Sequence, residues 1–175
     1  MIESRRGDAP VDFDRGVGLK SPLPPEIASD QLDNLDSLKG KWTLRKVPLK
    51  RGTLLVSINE AAVPYVGNPK LGIKLGFAIP YNLPPDAGAP DPEENDDVSK
   101  LEDAICEIVA AQTTGIHVLT LTAPDAKELV FYVTEGVDVA QLHELARAKT
   151  DNYDVQCMAQ RDPQWLSFQE FLPAS

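Results

Sequence analysis

Apolar and polar positions alternate with a period of two along several short stretches and with a helical period along longer ones. Trp42 to Val47 sets Trp42, Leu44 and Lys46 against Thr43, Arg45 and Val47, and Thr53 to Ile58 places Leu54, Val56 and Ile58 on one face. Lys50-Arg51-Gly52 lies between the two, so the pattern predicts a hairpin. Leu71, Ile73, Leu75, Phe77 and Ile79 share one parity and predict a strand over 71–79. Residues 80–91 hold four prolines and read as a loop. Asp91, Pro92 and Glu94 then supply an N-cap, a first-turn proline and a capping-box acid. Val98, Leu101, Ile105, Ile108 and Val109 continue as a helical stripe to about Gln112. Two β-rich stretches follow, Ile116–Thr122 and Lys127–Thr134. A second helix is predicted from Asp138, with Gln141 closing a capping box and Val137 stapling onto Leu142. Tyr153 to Gln160 reads as a strand. Asp162 and Pro163 predict a last helix with Trp165, Phe168, Phe171 and Leu172 on its inner side.

Upstream, residues 1–24 mix charge with Gly and Pro and predict disorder. Residues 26–38 set Ile27, Leu32, Leu35 and Leu38 on one stripe of a possible helix, weakened by Asp30, Asp33 and Asp36. The organisation expected is therefore a mostly disordered or weakly helical extension over 1–40 and a single α+β domain over 41–175. The order β-α-β-β-α-β over residues 70–160 is that of a ferredoxin-like split β-α-β unit. An antiparallel sheet with both helices on one face follows, with an added N-terminal β-hairpin and a short C-terminal helix.

Composition narrows the function. The chain has 175 residues, 42% apolar and 25% charged, with a formal net charge of −10. That is ordinary globular usage. Residues 1–52 hold 10 basic and 8 acidic side chains, residues 53–175 hold 7 and 19, so the negative charge belongs to the C-terminal three-quarters. Direct nucleic-acid binding is disfavoured, because phosphate contacts need clustered Lys and Arg. No run of 18 apolar residues and no signal-peptide pattern occurs, so no membrane role and a cytoplasmic location are expected.

Candidate chemistry is sparse. The densest charge is Asp91-Pro92-Glu93-Glu94-Asn95-Asp96-Asp97, continued by Glu102, Asp103 and Glu107. It lacks the ligand spacing of a calcium loop, and part of it favours the helix N-terminus. The remainder is a candidate partner-binding face. His117 and His143 have no neighbouring nucleophile motif that would make either a general base. Cys106 and Cys157 fall on apolar positions and form no metal-ligand spacing. Lys39, Lys41, Arg45, Lys46, Lys50 and Arg51 form the one basic cluster, read chiefly as a solvated edge hairpin. No phosphate-binding glycine loop occurs. No catalytic residue, metal ligand or cofactor is assigned.

A set of ordered motifs resembles one known family. They are Leu54-Leu55-Val56-Ser57-Ile58-Asn59, Gly67-Asn68-Pro69 and Gly76-Phe77-Ala78-Ile79-Pro80, then Gly88-Ala89-Pro90 leading through Glu93-Glu94 to Leu101-Glu102-Asp103. Glu128-Leu129-Val130-Phe131-Tyr132-Val133 and Arg161-Asp162-Pro163 with Trp165 and Phe168 complete them. Their order resembles the bacterial family known as domain of unknown function 695, over about residues 42–172. The resemblance implies structural roles for Asn59, Gly67, Pro80, Asp162, Pro163 and Trp165. It carries no established activity. It also implies a fold-level similarity to the regulator-B family that inhibits ribonuclease E by binding it, which transfers no site residue.

The expected function is a non-catalytic regulatory or inhibitory module. It would dock on a protein partner with a basic surface through Glu93, Glu94, Asp96, Asp97, Asp103 and Glu107. The alternatives are an immunity protein that neutralises a bacterial toxin, an enzyme with a site near His117, and a self-associating protein. Neighbouring toxin genes, a substrate screen and light scattering separate them.

Overall fold

The computed structural model describes residues 41–173, so the predicted helix at 26–38 and the disorder at 1–24 lie outside the described residues. The alternating stretches form six strands: β1 (Trp42–Leu49), β2 (Gly52–Asn59), β3 (Ile73–Pro80), β4 (Gly115–Thr122), β5 (Ala126–Val133) and β6 (Gln156–Arg161). The helices are α1 (Pro92–Gln112), α2 (Val139–Arg147) and the single turn α3 (Leu166–Gln169). A 3-10 helix over Glu60–Tyr65, not predicted, follows β2; Asn59 caps it by accepting from the Ala61 amide. The sheet order is β1-β2-β4-β5-β3-β6, and every neighbouring pair is antiparallel. The hairpin therefore extends the sheet rather than covering a face of it.

Alternation along β3 and β5 feeds two cores. Leu75, Phe77 and Ile79 of β3 and Leu129, Phe131 and Val133 of β5 meet Val98, Leu101, Ile105, Ile108 and Val109 of α1 and Leu142 and Ala146 of α2. Across the sheet, Val130 and Tyr132 join Val56, Ile58, Val118, Leu119, Trp165 and Phe168. Each buried aliphatic of α1 is worth about 1.5–3 kcal/mol, against about 1 kcal/mol for its cap. The inner stripe holds the helix, and Asp91, accepting from the Glu94 amide at 2.9 Å, fixes where it starts.

Three local features depart from the sequence pattern. First, β6 starts at Gln156, so Tyr153 and Val155 precede it rather than lie in it. Second, Asp162 does not cap a helix that begins with Pro163. Trp165 sits in the left-handed region (φ 58°) as the residue before α3, and Asp162 reaches over it to accept from the Leu166 and Ser167 amides at 2.9 and 3.1 Å. The chain turns sharply there because Trp165 drives into the core. It is fully buried, stacks on Tyr132 with ring centroids 4.2 Å apart, and donates from Nε1 to the Leu71 carbonyl at 2.8 Å. Third, the pairing of β4 with β5 shifts between His117 and Leu119, a bulge that sends Val118 and Leu119 to the same face. At the turn between β1 and β2, Gly52 has φ +105°, and a side chain there would meet the Gly88 carbonyl. This close approach seats the loop before α1 against the hairpin.

Candidate functional site

The six predicted acidic residues separate into two groups. Glu93, Asp96, Asp97, Asp103 and Glu107 are exposed, and at 100° per residue they fall on one arc of α1, interrupted by Lys100. Lys100 pairs with Asp97 at 3.4 Å, an exposed contact worth little. Glu94 is buried, and its carboxylate accepts from the Asn82 and Leu83 amides at 2.7 and 3.0 Å. Its charge holds the loop after β3 to the start of α1 and does not contribute to the outer face. It also does not turn back on Asp91 as a capping-box acid would; the capping bond is made from the Asp91 side alone.

The residues implied by family resemblance take structural positions. Asn59 is buried; it caps the 3-10 helix and donates to the His117 carbonyl at 2.9 Å. Gly67 has φ +80° in the turn after that helix. Pro80 ends β3 opposite Ala126. Asp162 accepts from Tyr132 Oη at 2.7 Å besides the two amides, Pro163 lies exposed against Gly72, and Trp165 anchors the second core. Lys74 is buried beside this group and donates to Ser167 Oγ at 2.8 Å. Burial and the adjoining Asp162 carboxylate hold the Tyr132 hydroxyl well above its ordinary range, so it stays a donor.

His117 belongs to a polar network beneath α1 that the sequence does not announce. Its ring stacks on Phe131 (centroids 4.6 Å) and lies under Trp42 (4.9 Å). Nε2 is 3.0 Å from the Leu119 carbonyl and 3.1 Å from Thr120 Oγ1, and Nδ1 is 3.5 Å from Cys106 Sγ. A carbonyl only accepts, so Nε2 carries the proton and Nδ1 accepts from the thiol. Thr120 donates to Glu102 at 2.7 Å; Glu102 pairs with Lys127 at 3.4 Å; Lys127 donates to Ser99 Oγ at 2.9 Å. The juxtaposition of Cys, His and Glu has the residue types of a thiol nucleophile site, but its electrostatics run the other way. Burial lowers His117 from 6.5 to about 4 despite Glu102. Burial, with Glu102, Asp103 and Glu107 nearby, raises the Cys106 thiol to about 12. Both groups are held neutral, whereas an activated cysteine needs the thiolate form. This network ties α1 to β4 and β5.

His143 donates from Nε2 to the Val155 carbonyl at 2.7 Å and joins α2 to the segment before β6. Cys106 and Cys157 are both half-buried, and neither is in a disulfide among the described residues. A polar hollow of about 450 Å³ between the end of α1 and the start of α2 is lined by Gln112, Thr113, Thr134, Gly136, Asp138 and Gln141 and holds none of the predicted residues. Among the described residues no cluster of three or more His, Cys, Asp or Glu is placed to hold a metal, and no helix is long and apolar enough to cross a membrane.

Neither a curated protein nor a solved structure matches the chain. A family model does, described as a family of unknown function (DUF695), and it matches residues 41–173, the whole of the described fold. The chain belongs to the DUF695 family.

Proposed function

We propose that this chain is a non-catalytic regulatory or inhibitory protein of the cytoplasm that docks on a partner with a basic surface through the outer face of α1. The observation that carries the reading is the row Glu93, Asp96, Asp97, Asp103 and Glu107, all exposed on one arc. From Glu93 to Glu107 the row runs about 21 Å at 1.5 Å per residue. Capping alone favours negative charge only within the first turn, and Asp103 and Glu107 lie well beyond it. Such a row speeds association and fixes orientation more than it sets affinity.

The ferredoxin-like reading of the central unit is part of the proposal. Its support is the order β4-β5-β3-β6 with α1 and α2 in one core on one face. On that reading the fold is of the kind the regulator-B family uses to bind ribonuclease E, an analogy of fold only. An immunity protein would use the same surface against a toxin. The test is affinity purification from the native host, with the wild-type chain beside a variant carrying Lys at Glu93, Asp96, Asp97, Asp103 and Glu107. A partner lost from the variant and eluted by salt is expected; a partner set that is unchanged sinks the proposal.

A further inference from the structure

The polar hollow between the end of α1 and the start of α2 is set apart by the sign of its charge. Its volume of about 450 Å³ falls in the range of pockets that take small ligands. Gln112, Thr113, Thr134, Glu135, Asp138 and Gln141 line it, and each carries a side-chain oxygen that accepts hydrogen bonds. No Lys, Arg or His lines it among the described residues.

The backbone supplies further acceptors. α1 has 21 residues and no basic side chain in its last turn, where a cation is favoured. The Val109 carbonyl accepts from the Thr113 amide at 3.0 Å, but the carbonyls of Ala110, Ala111 and Gln112 accept no backbone amide among the described residues. The start of α2, on the opposite wall, works against a cation. The two helix ends carry about −0.5 and +0.5 of a charge, so they offset each other and two carboxylates remain. Arg161 offsets Glu135 across an exposed pair of 2.6 Å, of a kind that contributes little. Asp138 caps α2 through Oδ1, accepting from the Gln141 amide at 3.0 Å. The balance is negative, and the acceptors are many and close together. That combination suits a guanidinium, which is permanently charged and has five donors in one plane.

Gln112 lies five residues beyond Glu107, about 7.5 Å along the helix, so the hollow closes the acidic row of α1. We propose, on the docking reading above, that the hollow receives an arginine side chain of the partner that docks on that row. The row attracts and orients the basic surface, and the arginine seated in the hollow fixes where along α1 the partner stops.

Amide NMR of the full-length chain tests this with N-acetylarginine amide as the probe and its neutral isostere N-acetylcitrulline amide as the control. The arginine probe should give saturable shifts at Thr113, Thr114, Gly136 and Gln141. Citrulline should bind at least about fivefold more weakly. Glu135→Gln with Asp138→Asn should weaken the arginine probe by about the same factor. That variant keeps its fold, because Asn caps a helix as well as Asp does. Absence of saturable shifts at the hollow overturns the proposal. So do shifts confined to Glu93–Glu107, an equal response to citrulline, or undiminished binding by the double variant. The titration uses no partner, so its failure strikes the hollow alone and leaves the acidic row to the affinity purification.

Discussion

His117 gives the chain a defined sensitivity to acid. Its imidazole titrates at about 4 in the folded chain, against an ordinary value of 6.5, because burial against Phe131 and Trp42 removes the water that would solvate an imidazolium. Glu102 acts in the opposite sense and only partly offsets it. Between those two pH values the unfolded chain binds more protons than the folded one at this site, so stability rises with pH across the window. The contribution is complete above pH 6.5 and is lost progressively as pH falls towards 4. At about 1.4 kcal/mol per tenfold change in proton affinity, the loss amounts to about 3 kcal/mol. Urea denaturation at intervals from pH 7 to pH 4 measures it, with His117→Gln as the reference. Glutamine does not titrate and keeps a donor for the Leu119 carbonyl. The carboxylates of the molecule titrate in both proteins, so the difference between the two slopes isolates His117. The wild type should lose about 3 kcal/mol more than the variant over the interval. Parallel slopes, or a His117 proton resonance with a midpoint near 6.5, would refute the reasoning.

Other substitutions follow from the same contacts. Glu94→Ala leaves the Asn82 and Leu83 amides without their acceptor and should cost about 2 kcal/mol in urea denaturation. Trp165→Ala empties the centre of the second core and orphans the Leu71 carbonyl; a loss of about 3–5 kcal/mol is expected, with collapse of the near-ultraviolet dichroism from the Trp165–Tyr132 stack. Cys106, raised to about 12, should alkylate with iodoacetamide at pH 8 more than about tenfold slower in the folded chain than in urea; equal rates would show that the thiol is not shielded.

Much of the architecture was legible because it rests on local rules. The span Pro92–Gln112 of α1 follows from Asp91, Pro92 and a stripe ending at Val109, and the hairpin follows from alternation about Gly52. The His117 network was not legible, for a definite reason. In a regular strand residues 117 and 120 point to opposite faces, and the bulge at Val118 brings them to the same one. A bulge leaves no mark in the alternation of Ile116-His117-Val118-Leu119. Glu94 read as part of an acidic cluster because a sequence shows charge and not its partners. The Asn82 and Leu83 amides that enclose it lie across a loop. The missed 3-10 helix did carry a signal in the cap Asn59 followed by Glu60-Ala61-Ala62.

The placement of β5 has a consequence for how the molecule comes apart. Its odd-numbered residues Leu129, Phe131 and Val133 complete one core, and its even-numbered Val130 and Tyr132 complete the other. A single backbone segment is thus a structural member of both, so neither core can open fully while that strand stays in register between β4 and β3. The sheet and its two coverings form one cooperative unit rather than two stacked subdomains. The β5 amides are therefore expected in the slowest-exchanging set, and a lesion on either face should be felt as a loss of stability for the whole.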